Sequence, residues 1–427
     1  MRASGRDWPL LDPAIFAGAL LIYALAVPLG LARVEGASQV AAAITLDTST
    51  QPVPYALLAM RIGQFLPLGD APFRTNLVSA CLCALAIALI GRLCLQASAL
   101  LRPPTNARQE PRDFVHEPMA ATGAAFAAAF SLSLFDLGAT AGSAAATLVV
   151  LAAGLLSGFT LLHEYDHAAA GYALAGVAGL SAGVDPVAGP LLWPPLVGLA
   201  IWSLRKGARW PLLALLCFVA AWGSSVLASV ASASSPAAAG RLVPGMGRLG
   251  VYGGGAFLAT AIELAEEVGV VGALLAVVGA IALGARAAVL TAWLALTILM
   301  ALLFAHSAFR AAALWEPTRV ALPLAVAVTC VFACAGLLHV AGRLGRARAP
   351  ATLALAAILV LSPALDSYHS RHRTTLPMHL LDRALLRAEV RALVCPGTAE
   401  MNGLFDLARA QGLRPDLEIG KCGGKSP

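Results

Sequence analysis

Long apolar runs, most of them close to the length of a membrane-crossing helix, recur along this 427-residue chain and restrict its fold more than any other feature. A helix that rises about 1.5 Å per residue needs about 20 such residues to cross about 30 Å of hydrocarbon. Only 12% of the residues are charged, against about 25% in an average soluble chain. This composition excludes a soluble globular enzyme, a disordered chain and a basic protein that binds nucleic acid. We therefore predict an all-α, polytopic integral membrane protein.

The apolar runs predict about eleven transmembrane helices. They lie at 13–32, 74–97, 118–135, 139–161, 168–184, 187–204, 210–230, 268–285, 287–306, 319–341 and 350–365. Arg and Lys concentrate in alternate loops, among them 92–112, 205–209 and 343–348. Because cytoplasmic loops carry an excess of these residues, the pattern predicts a cytoplasmic N-terminus and an external C-terminal segment.

The sequence predicts two domains: a transmembrane domain at residues 1–365 and a small external C-terminal cap at residues 366–427. The external segment 55–66 has apolar residues at helical spacing, so we expect it to lie along the membrane interface, and 256–267 is a second candidate interfacial helix. The first belongs to a long external loop at 33–73. Two cysteines, Cys395 and Cys422, fall in the cap, where a disulfide is chemically permitted outside the cytoplasm.

A histidine motif follows the fourth predicted span. His163, Glu164 and His167 match H-E-x-x-H, which on one helix supplies two zinc ligands and a general base, as an intramembrane zinc protease requires. The alternative is a short cytoplasmic hairpin, in which polar residues gather because they cannot remain in lipid. The motif lies where the topology needs a turn, which favours the hairpin.

Acidic and basic residues also gather at the predicted external ends of the spans. The acids are Glu35, Asp47, Asp70, Asp136, Asp185 and Glu316, and the bases are Arg61, Arg74, His306, Arg310 and Arg319. A carboxylate can take a proton from an acceptor or hold a divalent metal ion, and Arg pairs with phosphate. A transferase acting on a lipid-linked phosphosugar needs both groups. The alternative is that loop ends are polar in every membrane protein.

The segment from residue 41 to residue 92 carries a specific resemblance. Its runs Tyr55 to Asp70 (YALLAMRIGQFLPLGD) and Phe73 to Ala80 (FRTNLVSA) resemble the bacterial membrane family related to protein O-mannosyltransferases, within the GT-C glycosyltransferase superfamily. Weaker similarities follow in the same order at 130–135, 316–323 and 412–417. The resemblance implies a GT-C-like fold, a location in the bacterial inner membrane and a polyprenyl-phosphate-sugar as donor.

Membership of this family would assign roles to the external residues. Glu35 or Asp47 would be the catalytic base, and Arg310, Arg319 and Arg61 would face the donor phosphate. The sugar would pass to an acceptor outside the cytoplasm. Asp136 and Asp185 are further acids on the same side.

At several positions this chain lacks the residue that is characteristic of the family. Of the family's two acids in the first loop only Glu35 is kept, the turn Thr50 to Tyr55 lacks the family's His, and Asp185 stands where a His is expected. Gly142 to Ala144 replaces a Glu-Val-Tyr. These changes support an alternative, a catalytically inactive GT-C-like subunit that docks other membrane or external protein subunits. A transporter is disfavoured because few charges lie well inside the predicted spans.

Overall fold

The computed structural model describes residues 10–27, 35–46, 54–101, 116–140, 142–163, 167–184, 192–232, 254–306, 315–344 and 347–374. Within these ranges the regular elements are all α-helices, so the predicted all-α class is confirmed. They are α1 Leu11–Ala26, α2 Glu35–Thr45, α3 Pro54–Gly63, α4 Ala71–Leu100, α5 His116–Phe130, α6 Leu132–Ala139, α7 Ala144–His163, α8 Ala168–Val184, α9 Trp193–Arg205, α10 Trp210–Ser232, α11 Gly254–Gly284, α12 Ala288–His306, α13 Trp315–Arg343 and α14 Arg348–Thr374.

Six helices in the described part of the chain are long and apolar enough to cross a membrane. They are α4 and α7 together with the apolar parts of α10, α11, α13 and α14. The pair α5 and α6 makes a seventh if its two halves, bent by 69°, form one span. The apolar helix α1 and the apolar parts of α8 and α12 are shorter. The multi-pass membrane prediction is therefore confirmed, while the count of about eleven stays a prediction.

The distribution of charged residues distinguishes the two ends of the helix bundle. Asp12 at the start of α1 pairs with Arg92 near the end of α4, at 3.5 Å, so these two helices are antiparallel. Arg286, after α11, donates to the carbonyl of Leu101, after α4. We call this the Arg-rich end, and the end at which α4 begins the opposite end. The Arg-rich end contains Arg92, Arg205, Lys206, Arg209, Arg286, Arg343 and Arg348.

Helix α13 forms the centre of the bundle, and its residues from 324 to 335 are almost entirely buried. It crosses α11 at a pair of glycines. A methyl group on Gly279 would meet the Phe332 carbonyl, and one on Gly336 would meet the Leu275 carbonyl. Because lipid provides no hydrophobic drive between helices, such close backbone packing is a principal source of their association.

The structure can be compared with the sequence prediction at two helix boundaries. Helix α11 covers both the predicted interfacial helix at 256–267 and the next span, and its backbone breaks between them at Gly269, with φ 75° and ψ 157°. Glycine adopts this positive φ because it has no Cβ. Helix α14 also continues to Thr374, beyond the predicted domain boundary at 365. The rest of the cap, with Cys395 and Cys422, lies outside the described residues.

Candidate functional site at the broken helix

The break between α5 and α6 is the first component of the site. Interrupting a helix in an apolar region leaves backbone carbonyls and amides that lipid cannot satisfy. On the α5 side, the Ser131 amide donates to the Ala127 and Ala128 carbonyls, each at 3.1 Å. The Ser131 hydroxyl donates to Ala128 at 2.8 Å, and the Tyr23 hydroxyl from α1 donates to the Ala129 carbonyl at 3.2 Å. Three carbonyls next to the break are therefore satisfied within the protein.

On the α6 side, Glu267 of α11 binds the backbone amide of Ser133. The Ser133 amide donates to both carboxylate oxygens of Glu267, each at 3.0 Å, and the Ser133 hydroxyl donates to Oε2 at 2.9 Å. A carboxylate at a helix N-terminus satisfies unpaired amides and interacts favourably with the helix dipole. Ser131 is the N-cap residue of α6 but makes no side-chain cap, and Glu267 supplies the capping side chain from another helix. Its position two residues before the kink at Gly269 brings the two helix breaks together.

Further acids surround this contact. Among the described residues, the charged side chains that act electrostatically on Glu267 are Asp136 of α6 and Glu263, one turn earlier in α11, and both are acidic. No Lys or Arg among the described residues forms an ion pair with Glu267. The carboxylate of the half-buried Glu267 is thus stabilised by the N-terminus of α6 rather than by a cation.

Helix α4 connects this site with the loop helices α2 and α3. Its first turns bury the polar residues Thr75, Asn76 and Ser79 completely. On one face, Gln64 Nε2 donates to Thr75 Oγ1 at 2.8 Å. On another, the Cys83 thiol donates to the Leu134 carbonyl of α6 at 3.5 Å. The loop helices α2 and α3 and the broken helix therefore contact the same half of α4.

Arg61, predicted to bind the donor phosphate, contacts the protein itself. Its guanidinium donates to the carbonyl of Ile44 and lies 5.7 Å from the ring centroid of Phe65. Ile44 is in the last turn of α2 and Arg61 in the last turn of α3. A cation at the C-terminus of a helix satisfies free carbonyls there. Arg61 thus joins the ends of α2 and α3.

Arg74 has a similar role in the turn that follows α3. Its guanidinium donates to the carbonyls of Gln64, Leu68 and Gly69, each at 2.9 Å. Asp70 accepts from the Phe73 amide at 2.9 Å and so caps the N-terminus of α4. Both polar residues therefore fix the path of the chain from α3 into α4.

The other predicted site residues are only partly described. Glu35 is the first residue of α2, and Arg319 lies in α13, but their side chains are outside the described part of the structure. Asp47, Asp185 and Arg310 lie outside the described residues. Asp136 is half-buried in α6 and close to Glu267. Of the predicted acids, the described structure brings only Asp136 to the broken helix.

The histidine motif lies between two helices. Helix α7 ends at His163 and α8 begins at Ala168, while Glu164 is outside the described residues. His167 Nδ1 accepts the Ala170 amide at 3.2 Å and so caps α8. Both histidines are exposed. His163 and His167 are thus described as the end of α7 and the residue before α8, and no group of three metal-binding side chains occurs among the residues described.

Glu267 and Ser133 are the residues that the sequence prediction missed. The sequence prediction assigns residues 256–267 to an interfacial helix in an external segment and gives Glu267 no role. A signal was nevertheless present: Glu263 and Glu267 share a helix face immediately before a glycine that is followed by a long apolar run. Ser131 and Ser133 likewise interrupt an apolar run at the predicted end of a span.

Comparisons with known proteins return no relative: no protein-family model, no curated protein and no solved structure matches the chain. The resemblance to the O-mannosyltransferase-related family therefore remains an expectation from the sequence. The chemistry must be inferred from the residues themselves.

Proposed function

We propose that this chain is a GT-C-type membrane protein that transfers a sugar from a polyprenyl-phosphate donor to an acceptor outside the cytoplasm. The supporting observation is that α2, which begins at Glu35, is joined to α3 through Arg61 and packs beside α4. The same half of α4 contacts the broken helix near Asp136 and Glu267. Acids available for transfer chemistry and a folded external loop thus belong to one end of the bundle.

In the proposed reaction, Glu35 or Asp47 takes the proton of an acceptor hydroxyl while that oxygen attacks the anomeric carbon of the sugar. The bond from this carbon to the phosphate oxygen breaks, and the polyprenyl phosphate leaves with the bonding electron pair. Arg310 or Arg319 pairs with the phosphate as its charge develops. Carboxylate oxygens are also preferred ligands of divalent cations, so Mg²⁺ or Mn²⁺ belongs in any assay.

The proposed topology has eleven spans. The bent pair α5 and α6 counts as one span, and α1, α8, α9 and α12 join the six longer helices. With the Arg-rich end in the cytoplasm, the N-terminus is cytoplasmic and the C-terminal segment external, in the bacterial inner membrane.

The test uses the purified full chain in liposomes with a polyprenyl-phosphate-linked radioactive hexose, a Ser/Thr peptide as acceptor and Mg²⁺ or Mn²⁺. We expect time-dependent transfer of label to the peptide. A general base contributes about 10²–10⁴-fold to a rate, so either Glu35→Gln or Asp47→Asn should lower the transfer rate by at least about 10²-fold. Arg319→Gln should raise the KM for the donor.

The control is Glu266→Gln, because Glu266 is an exposed acid of α11 that has no assigned role. Full transfer activity in both the Glu35 and the Asp47 variants would remove these residues from catalysis. Failure of the wild-type chain to consume any hexose or pentose donor would contradict the transferase proposal itself.

A second candidate, a non-catalytic subunit that docks other proteins, is favoured by a specific observation. Arg61, Arg74 and Glu267 bind backbone groups of the chain itself and so support its own fold. For this candidate we expect a stoichiometric membrane or external protein to co-purify after mild solubilisation, together with no consumption of lipid-linked sugar. Transfer by the isolated chain would exclude it.

A further inference from the structure

The hairpin between α9 and α10 has a fixed backbone. Gly207 has a φ of 87°, its amide donates to the Leu204 carbonyl at 2.9 Å, and the Ala208 amide donates to the Ser203 carbonyl at 3.0 Å. These two bonds form the Schellman motif, which satisfies the last carbonyls of a helix. Ala208 is buried. The side chains on this turn therefore project from a defined scaffold.

Three cations lie on this hairpin. Arg205, Lys206 and Arg209 are all exposed, and none of them forms an ion pair with a described residue. Arg209 directly precedes the N-terminus of α10, where the helix dipole also attracts negative charge. The hairpin thus presents a concentrated positive charge that no described acidic side chain pairs with.

The two helices that meet at this hairpin expose apolar side chains beside the cations. In α9, Ile201 and Leu204 are 48% and 46% exposed, and in α10, Leu212 and Leu213 are 69% and 55% exposed. Helix α10 is among the membrane-spanning candidates, so its exposed leucines face acyl chains. Cationic and lipid-facing surfaces are therefore continuous.

We propose that the α9–α10 hairpin binds an anionic phospholipid. The headgroup phosphate lies against Arg205, Lys206 and Arg209, and the acyl chains follow the exposed faces of α9 and α10. Charge complementarity selects an anionic headgroup over a zwitterionic one. The adjoining apolar faces select a lipid over a soluble phosphate, because free phosphate gains nothing from them.

The experiment is native mass spectrometry of the purified full chain, titrated with phosphatidylglycerol or with phosphatidylcholine of the same acyl chains. Each cation near an anionic lipid surface contributes about fivefold to binding. We expect phosphatidylglycerol to bind at least tenfold more tightly than phosphatidylcholine. The triple variant R205Q/K206Q/R209Q should lose about 10²-fold in affinity for phosphatidylglycerol and little for phosphatidylcholine.

Two variants serve as controls. R205K/R209K keeps all three charges and should retain binding, whereas Arg343→Gln removes one exposed cation from the same end of the bundle and should bind as the wild type does. Because the three hairpin cations are exposed, single variants such as Lys206→Gln should fold normally and lose about fivefold.

Three outcomes would overturn the proposal. They are equal affinity of the wild-type chain for the two lipids, unchanged phosphatidylglycerol binding in the triple variant, and displacement of the bound lipid by an equal concentration of inorganic phosphate. A fourth outcome would also overturn it. If a stoichiometric protein co-purifies with the wild-type chain but not with the triple variant, the hairpin binds a protein partner instead of a lipid.

Discussion

The Glu267 carboxylate and the Ser133 backbone amide form a helix cap between residues 134 positions apart in the chain. The amide lies 3.0 Å from each carboxylate oxygen. A helix cap is normally supplied by a neighbour in sequence, but here it comes from α11, directly before the kink at Gly269. The orientation of α6 therefore depends on α11, and the two breaks are coupled by one side chain.

Removing this cap should destabilise the fold. Hydrogen bonds to a charged group contribute about 1.5–3 kcal/mol when their loss leaves a buried donor unsatisfied, so we expect Glu267→Ala to lower the free energy of unfolding by about 2 kcal/mol. Glu267→Gln keeps one acceptor oxygen and should lose less. The measurement is detergent denaturation of the purified chain, followed by tryptophan fluorescence.

The matched control for this prediction is Glu266→Ala, on the neighbouring residue of α11, which is exposed. It should change the free energy of unfolding by less than about 0.5 kcal/mol. Equal losses in the Glu266 and Glu267 variants would show that the cap contributes nothing specific.

The crossing of α11 and α13 provides a second prediction. A methyl group at Gly279 would meet the Phe332 carbonyl and the backbone of Gly336, so Gly279→Ala must push the helices apart. Overpacking of this kind costs about 1–3 kcal/mol, and the better helix propensity of Ala offsets about 1 kcal/mol of it. We expect a net loss of about 1–2 kcal/mol in the same denaturation assay.

A Cβ on Gly223 in α10 would meet no described atom within 4 Å beyond the backbone of its own helix, so Gly223→Ala should be neutral or stabilising by up to about 1 kcal/mol. The two Gly→Ala substitutions should change the free energy of unfolding in opposite directions. The comparison therefore distinguishes the cost of tight helix packing at Gly279 from the gain in helix propensity. A Gly279→Ala variant as stable as the Gly223→Ala variant would contradict the close crossing.

The sequence predicts the helices better than the contacts between them. The length and low polarity of runs such as 74–97 and 319–341 require membrane helices, because no other element satisfies its backbone in lipid, and α4 and α13 cover both runs. The contact between Glu267 and Ser133 depends on how distant helices pack. The local patterns around these two residues mark polar positions beside apolar runs, but they do not specify which distant helices pack together.

Arg61 illustrates the same limit for the candidate site. The sequence places a cation near the membrane surface, and phosphate is a natural ligand for it. It does not specify that α2 ends within reach of that guanidinium, so that the Ile44 carbonyl becomes the acceptor. The sequence identifies Asp136 as an acid near the end of a predicted span, but its neighbour Glu267 follows only from the folded arrangement.

The turn after α3 should depend on the geometry of Arg74 rather than on its charge. A guanidinium has several donors in one plane, whereas an ammonium cannot reach the three carbonyls of Gln64, Leu68 and Gly69 from one position. We expect Arg74→Lys to increase the rate of proteolysis in residues 64–70 several-fold, measured by mass spectrometry of fragments. Arg343→Lys, at an exposed position, should leave the rate unchanged, and an unchanged rate in both variants would refute this role.

The direction of the chain across the membrane can be tested at the two ends of the bundle. Lys206 is exposed at the Arg-rich end, and Leu68 is 49% exposed at the opposite end. Because basic loops are retained in the cytoplasm, we expect a membrane-impermeant maleimide to label the Leu68→Cys variant in right-side-out vesicles and the Lys206→Cys variant only in inverted ones. Cys395 and Cys422 are replaced by Ser in both variants to remove background from the C-terminal segment.

Four native cysteines of the described helices, Cys83, Cys94, Cys330 and Cys334, are buried and should react only after denaturation. The parent chain without an introduced cysteine therefore sets the baseline in both kinds of vesicle. If the maleimide instead labels Lys206→Cys in right-side-out vesicles and Leu68→Cys in inverted ones, the topology is the reverse of the one proposed. The first external loop would then face the cytoplasm, where its acids could not act on an external acceptor, and the transferase proposal would fail with the orientation.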